Sequence, residues 1–236
     1  MAEQAGHGER VAAMFGRIAR LYDLLNHVLS FGQDYAWRRA LVRTARLSAR
    51  AFALDLAAGT LDVSLAIARR RPDARVVAAD FSLPMLARGR RKLSRGRGAN
   101  IMPVAADAKR LPLTDGCADA VTIAFGIRNI LPRAEAYAEM RRVLKPGGRL
   151  CILEFGTASR PVMRGLFNLY LDAILPLLGR VVSGDRGAYR YLADTIRAFP
   201  DEETLAGELR AAGFGEVSYT AMHCCIVYLH VGRKPG

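Results

Sequence analysis

The stretch Ala53-Leu54-Asp55-Leu56-Ala57-Ala58-Gly59-Thr60-Leu61-Asp62, with Val76-Val77-Ala78-Ala79-Asp80 behind it, decides the fold. Ala53 to Leu56 reads as a buried strand, Gly59-Thr60 breaks it, and Val63 to Arg71 has the apolar spacing of a helix. Val76 to Ala79 is a second strand that ends at Asp80. Ser82 then stands as an N-cap with Pro84 in the first turn, predicting a helix through Arg95. Met102–Ala106, Ala120–Phe125 and Leu150–Phe155 are further strands, and Glu135–Leu144 is a helix stopped by Pro146-Gly147-Gly148. Strand and helix in alternation predict a parallel sheet covered on both faces, with ligands beyond the carboxyl ends of its strands.

The flanks differ from this core. Residues 10–50 read as a helical cap carrying Arg38, Arg39, Arg43, Arg46 and Arg50. Residues 159–200 interrupt the sheet with an apolar segment, Leu166 to Leu178, whose charges make it a poor membrane span and a better cap or surface-lying amphipathic helix. A helix from Glu202 to Ala212 follows, ended by Gly213, then strands near Val217–Thr220 and Ile226–Val231. The expectation is one domain over 1–236: cap 10–50, core 51–155, cap insertion 159–200, and C-terminal helix and strands 201–236.

Composition narrows the class. With 51% hydrophobic and 24% charged residues the 236-residue chain is neither disordered nor fibrous, and no run of ~20 apolar residues offers a membrane span. Cys117, Cys151, Cys224 and Cys225 have neither disulfide density nor metal spacing, so a reduced, cytoplasmic protein without a metal is expected. Thirty-five basic against 22 acidic residues give +13, a field that attracts nucleic acid, anionic lipid or acidic small molecules. An arginine- and alanine-rich coding bias explains the same excess.

The first loop carries chemistry. Gly59 lets backbone approach a ligand closely, and Asp80, 21 residues on, can accept hydrogen bonds from both hydroxyls of a ribose. GxGxxG and GK[ST] are both missing, which leaves a nucleoside without a pyrophosphate, and S-adenosylmethionine (SAM) fits. A tight turn shaped by an acid and a glycine is the competing explanation. Asp107 is placed to bond an adenine amino group while backbone at Ala108 meets the ring. Arg128 and Asn129 end the fourth strand, where they meet substrate or cap backbone groups.

Several separate stretches resemble the ubiquinone/menaquinone-biosynthesis C-methyltransferase family, from about Met14 to Lys234. They are Tyr22-Asp23-Leu-Leu-Asn26 through Gly32 with Trp37-Arg38, Asp55-Leu56 with Gly59-Thr60 and Asp62, and Phe125-Gly126-Ile-Arg128-Asn129. Arg142-Val-Leu-Lys-Pro-Gly-Gly-Arg149, Leu153-Glu154-Phe155, Tyr189-Arg190-Tyr191-Leu192 and Leu229-His230 complete them. The resemblance implies a Rossmann-like class I SAM-dependent methyltransferase, with a seven-stranded, mostly parallel α/β sheet and helical caps. It implies SAM contacts at Asp55, Gly59, Thr60, Asp80, Asp107 and Ala108, and methyl transfer to a carbon of a polyprenylated hydroquinone. Arg128 would stabilise the phenolate, Asn129 would orient a hydroxyl, and Asp23 is favoured as the base over Tyr22, Tyr189 and His223. A tail groove in the apolar cap, peripheral contact with anionic membrane, and a homodimer are the partner expectations; nucleic acid is not expected.

Two departures stand out. The family's usual GGTGD is Ala58-Gly59-Thr60-Leu61-Asp62 here, so Leu61 is expected to crowd the cofactor bend; Ala124 lacks a family serine hydroxyl, and Tyr228 replaces a small residue. A nucleic-acid or other small-molecule methyltransferase, or a catalytically impaired scaffold, are the alternative functions.

Overall fold

The computed structural model describes residues 6, 10, 11, 13, 14, 16, 27, 30, 32–93, 98–156, 165, 167–174, 186–222 and 225–236, with backbone alone for Ile174, Arg186, Ala188 and Tyr189. Seven strands form one sheet: β1 (Phe52–Leu56), β2 (Arg75–Asp80), β3 (Ile101–Ala105), β4 (Ala118–Ala124), β5 (Leu144–Phe155), β6 (Gly215–Met222) and β7 (Val227–Arg233), in the order β3-β2-β1-β4-β5-β7-β6. The first five run parallel; β7 is antiparallel to β5 and to β6. The order reverses between β1 and β4, and the loops that leave those two strands flank the crevice where such sheets bind ligands. The loops touch: a Cβ on Gly126, just after β4, would lie 2.4 Å from the Ala57 Cβ, so only glycine fits.

Side-chain alternation builds two cores. Ala53, Val76, Ala78, Cys151 and Leu153 face α1 (Asp34–Thr44) and α2 (Asp62–Arg70), packing on Trp37, Leu41, Leu65 and Ile67. Leu54, Leu56, Val77, Val121, Leu150 and Ile152 point the other way, onto residues of two more helices. After α3 (Leu83–Arg90), these are α4 (Arg133–Val143), with Tyr137 and Met140, and, after α5 (Arg186–Arg197), α6 (Glu202–Ala211), with Leu205 and Leu209. Each fully buried aliphatic side chain contributes about 1.5–3 kcal/mol. A third, smaller cluster joins Met14, Phe167, Leu171, Ala193 and Ile196 beside Phe155 and Tyr191, and sits at the carboxyl end of β5.

Boundaries shift where tertiary pairing competes with local pattern. α3 ends at Arg90 instead of continuing to Arg95, and 94–97 lie outside the described residues. α4 spans Arg133–Val143 because Leu144 turns extended and pairs with Ala118. Ser82 holds the N-cap position with extended backbone but makes no side-chain cap bond; its amide is instead taken by Asp80. Within 159–200 the described part holds helical residues at 165 and 167–169, a π-helical turn (Tyr170–Ile174) and α5.

Candidate functional site

Asp80 and Gly59, 21 residues apart in sequence, meet at the crevice. The Gly59 N–H donates to Asp80 Oδ2 at 2.7 Å and the Ser82 N–H to Oδ1 at 2.7 Å, so one carboxylate is aimed by two backbone amides. Burial pushes the Asp80 carboxyl up while those amides pull it down. A carboxylate oxygen accepts more than one bond, so both retain capacity for a sugar diol. Gly59 has φ +53, the left-handed region where glycine is at ease. Thr60 is buried at the same turn. Asp107 Oδ1 accepts the Lys109 N–H at 2.9 Å, fixing the short turn that carries Ala108. Phe81, next to Asp80, is 49% exposed, an apolar face at the rim that the pattern of residues alone did not single out.

Asp55 is not at the surface of this pocket. Its carboxyl is buried beneath the loop, accepting from Ser64 Oγ at 2.6 Å and Thr122 Oγ1 at 2.9 Å, and burial pushes its pKa up to about 7. The carboxyl expected to meet the cofactor braces β1, α2 and β4.

Leu61 takes the left-handed backbone its position demands, at φ 69, but its side chain turns inward. It is fully buried in the core beside α3, where a Cβ on Gly89 would stand 2.5 Å from Leu61 Cγ. Gly89 vacates the volume that Leu61 fills, so the crowding expected of Leu61 at the cofactor bend is not found. Tyr228 is matched in the same way. A Cβ on Gly156 would lie 2.5 Å from the Tyr228 ring, and the Tyr228 hydroxyl donates to Glu202 at 3.1 Å.

The opposite wall of the crevice comes from β4 and β5. Phe125 leaves β4 with φ 56, its N–H donating to Leu153 O, and the chain turns through Ile127–Asn129. Arg128 is buried: Nη1 donates to Glu154 Oε1 at 2.6 Å and to the Phe125 carbonyl at 2.6 Å. Glu154, itself 1% exposed, also accepts the Phe155 N–H at 3.0 Å. Arg128, expected from the sequence to stabilise a phenolate, is thus charge-balanced by Glu154. Its Nε, however, has no hydrogen-bond partner among the described residues. Asn129 Oδ1 accepts from the Tyr191 hydroxyl on α5 at 3.0 Å.

Rings line the route away from this wall. Trp37, Phe125, Phe155, Phe167 and Tyr170 follow one another with centroid separations of 6.0, 4.8, 6.4 and 6.3 Å, within the range of favourable aromatic pairs. Beside Phe155 opens a groove of about 510 Å³, lined by Gly156, Phe167, Asn168, Leu171, Ile196, Arg197 and Asp201. On the cofactor side, Arg38 Nη1 bridges Asp34 at 2.7 Å and Asp62 at 3.2 Å, and Lys92 also donates to Asp62, tying α1 to the helix that follows the loop. Tyr22, Asp23 and His223 lie outside the described residues, as does the side chain of Tyr189.

Comparison with known proteins agrees with this geometry. Residues 3–234 match the ubiE/COQ5 methyltransferase family. The chain is 46% identical over 222 residues to a demethylmenaquinone methyltransferase of Thermus thermophilus, covering 94% of this chain and 100% of the relative. It is 43% identical over 229 residues to the ubiquinone/menaquinone biosynthesis C-methyltransferase UbiE of Pseudomonas putida, covering 96% and 90%. Among solved structures, the [4+2]-cyclase SpnF has a TM-score of 0.71 at 18% identity, covering 97% of this chain and 96% of that one. The phosphoethanolamine N-methyltransferase 2 of Haemonchus contortus with SAM gives 0.66 at 13%, covering 86% and 53%. These two likenesses are of fold alone.

Proposed function

The chain belongs to the ubiE/COQ5 methyltransferase family and is a SAM-dependent C-methyltransferase, and from that premise we propose that it methylates a ring carbon of a polyprenylated hydroquinone, demethylmenaquinol first and the ubiquinol precursor as a second substrate. One observation carries the reading: the amide-held Asp80 carboxylate and the Arg128–Asn129 turn leave strand ends on the two sides of one crevice.

In this reading Asp80 accepts from the ribose hydroxyls, Gly59 and Thr60 meet the methionine portion, and Phe81, Asp107 and Ala108 border the adenine; Asp55 braces the loop from below. SAM supplies a sulfonium methyl that is already activated, so the protein's work is alignment and exclusion of water. The acceptor carbon gains electron density when a ring hydroxyl loses its proton, and Asp23, with Tyr22 beside it, is the proposed proton acceptor. The Asn129 amide donates to the resulting phenolate oxygen, and Arg128, tied to Glu154 and the Phe125 carbonyl, holds the turn that carries Asn129. With Glu154 balancing the guanidinium, hydrogen bonds and not net charge stabilise that oxygen. Trp37, Phe125 and Phe155 offer faces to the ring, and the groove between Phe167 and Ile196 takes the tail. No helix among the described residues is long and apolar enough to cross a membrane. Leu169, 58% exposed on the cap, and the excess of arginine suit peripheral binding to an anionic bilayer.

The test is a methyl-transfer assay offering demethylmenaquinol and the ubiquinol precursor side by side, with labelled SAM. Label in the naphthoquinol product is expected; SAM binding without transfer to either ring would reject the reading.

A further inference from the structure

We propose that Tyr191 is a positioning residue of the methyl transfer: its hydroxyl fixes the Asn129 carboxamide so that the amide N–H faces the acceptor's ring oxygen. This rests on the reading above, in which Asn129 donates to that oxygen. A carboxamide has an accepting edge and a donating edge, and turning it over exchanges them. The Tyr191 hydroxyl donates to Oδ1 at 3.0 Å, so the oxygen edge is occupied on the side of α5 and the two N–H groups point elsewhere. Without that bond the amide is free to present its oxygen to the phenolate, which repels where a donor attracts.

The hydroxyl is itself well held. Tyr191 packs against the cluster of Phe167, Leu171, Ala193 and Ile196, and its α5 rests on the turn that carries Asn129. Burial pushes its phenol up and the nearby Arg128 pulls it down, with burial the larger effect, so the hydroxyl keeps its proton near neutral pH. The bond also has a consequence for assembly. Asn129 sits on the central sheet and Tyr191 on the cap, so the donor is oriented only when the cap is seated.

Tyr191→Phe keeps the ring and removes only the donor. The expected result is a kcat about tenfold lower, the scale of one hydrogen bond made to a group under charge. SAM affinity, melting temperature and the KM for demethylmenaquinol should hold near wild type. Asn129→Ala should lose at least as much, and Tyr191→Phe in that background should cost nothing further. Asn129→Asp, which still accepts from Tyr191 but has no N–H to offer, should match Asn129→Ala. Equal losses from Tyr191→Phe in both backgrounds, or a loss that appears in SAM affinity or melting temperature, would overturn the positioning role while leaving the methyltransferase reading intact. Full activity of Asn129→Ala would overturn both the donor role of Asn129 and the inference built on it.

Discussion

Leu61→Gly returns the glycine that the family usually has at this bend, and the structure says it should harm the protein. The side chain fills core volume beside α3 with no exposure, so removing it costs about 3–4 kcal/mol in lost burial and cavity. Relief of a left-handed leucine at φ 69 returns about 1 kcal/mol. The net loss is about 2–3 kcal/mol, which for a chain of this size lowers the melting temperature by about 4–12 °C. Gly89→Ala attacks the same contact from the other side: its methyl would stand 2.5 Å from Leu61 Cγ and 3.0 Å from the Thr60 carbonyl carbon, and overpacking of that kind costs about 1–3 kcal/mol. In the double variant the methyl enters the space the leucine leaves, so the two losses should fall short of additive by about 1 kcal/mol or more. Thermal melts of the four proteins, with calorimetric SAM titrations, measure this. A Leu61→Gly protein with an unchanged melting temperature and tighter SAM binding would refute the reasoning and return the side chain to the cofactor edge.

Two further outcomes follow from buried charge. Asp55 has a folded pKa of about 7 against the ordinary 3.8, so its protonated form favours the fold; that stability is full below about pH 4 and is lost as pH rises through about 7, at most about 4 kcal/mol. Asp55→Asn cannot ionise, and its melting temperature should fall less between about pH 5 and 8.5 than that of the parent; parallel curves would contradict this. Glu154→Gln strands the buried Arg128 guanidinium, and chemical denaturation should show a loss of about 3–5 kcal/mol. A stability change below about 1 kcal/mol would mean that the pair is not enclosed as described.

Much of this architecture was legible in residue order. The apolar runs Ala53–Leu56, Val76–Ala79 and Leu150–Phe155 named their strands, whereas the 2.7 Å bond from the Gly59 N–H to Asp80 was not foreseen: the spacing reads as a ribose site, with a turn shaped by the two residues as its rival. What pattern could not carry was direction and distant partnership. Whether Leu61 points into a pocket or a core depends on the missing Cβ of Gly89, 28 residues later. Asp55 stood among the SAM contacts through a family stretch, yet Ser64 and Thr122 claim its carboxyl from neighbouring elements. Glu154 was visible in a family stretch, but its role as counter-ion appears only when β5 lies beside β4 and brings it to Arg128, 26 residues away in sequence. Tyr191 and Asn129 are 62 residues apart, and no periodicity links them.

The fit of Tyr228 against Gly156 has an evolutionary consequence. Any side chain at 156 collides with the phenol, and a small residue at 228 would leave a void behind the groove wall. The two sites are epistatic, and the order of mutation matters: shrinking 228 first opens a path of modest cost, whereas enlarging 156 first does not. Lineages or designs that reshape the groove should therefore carry paired exchanges on β7 and at the end of β5.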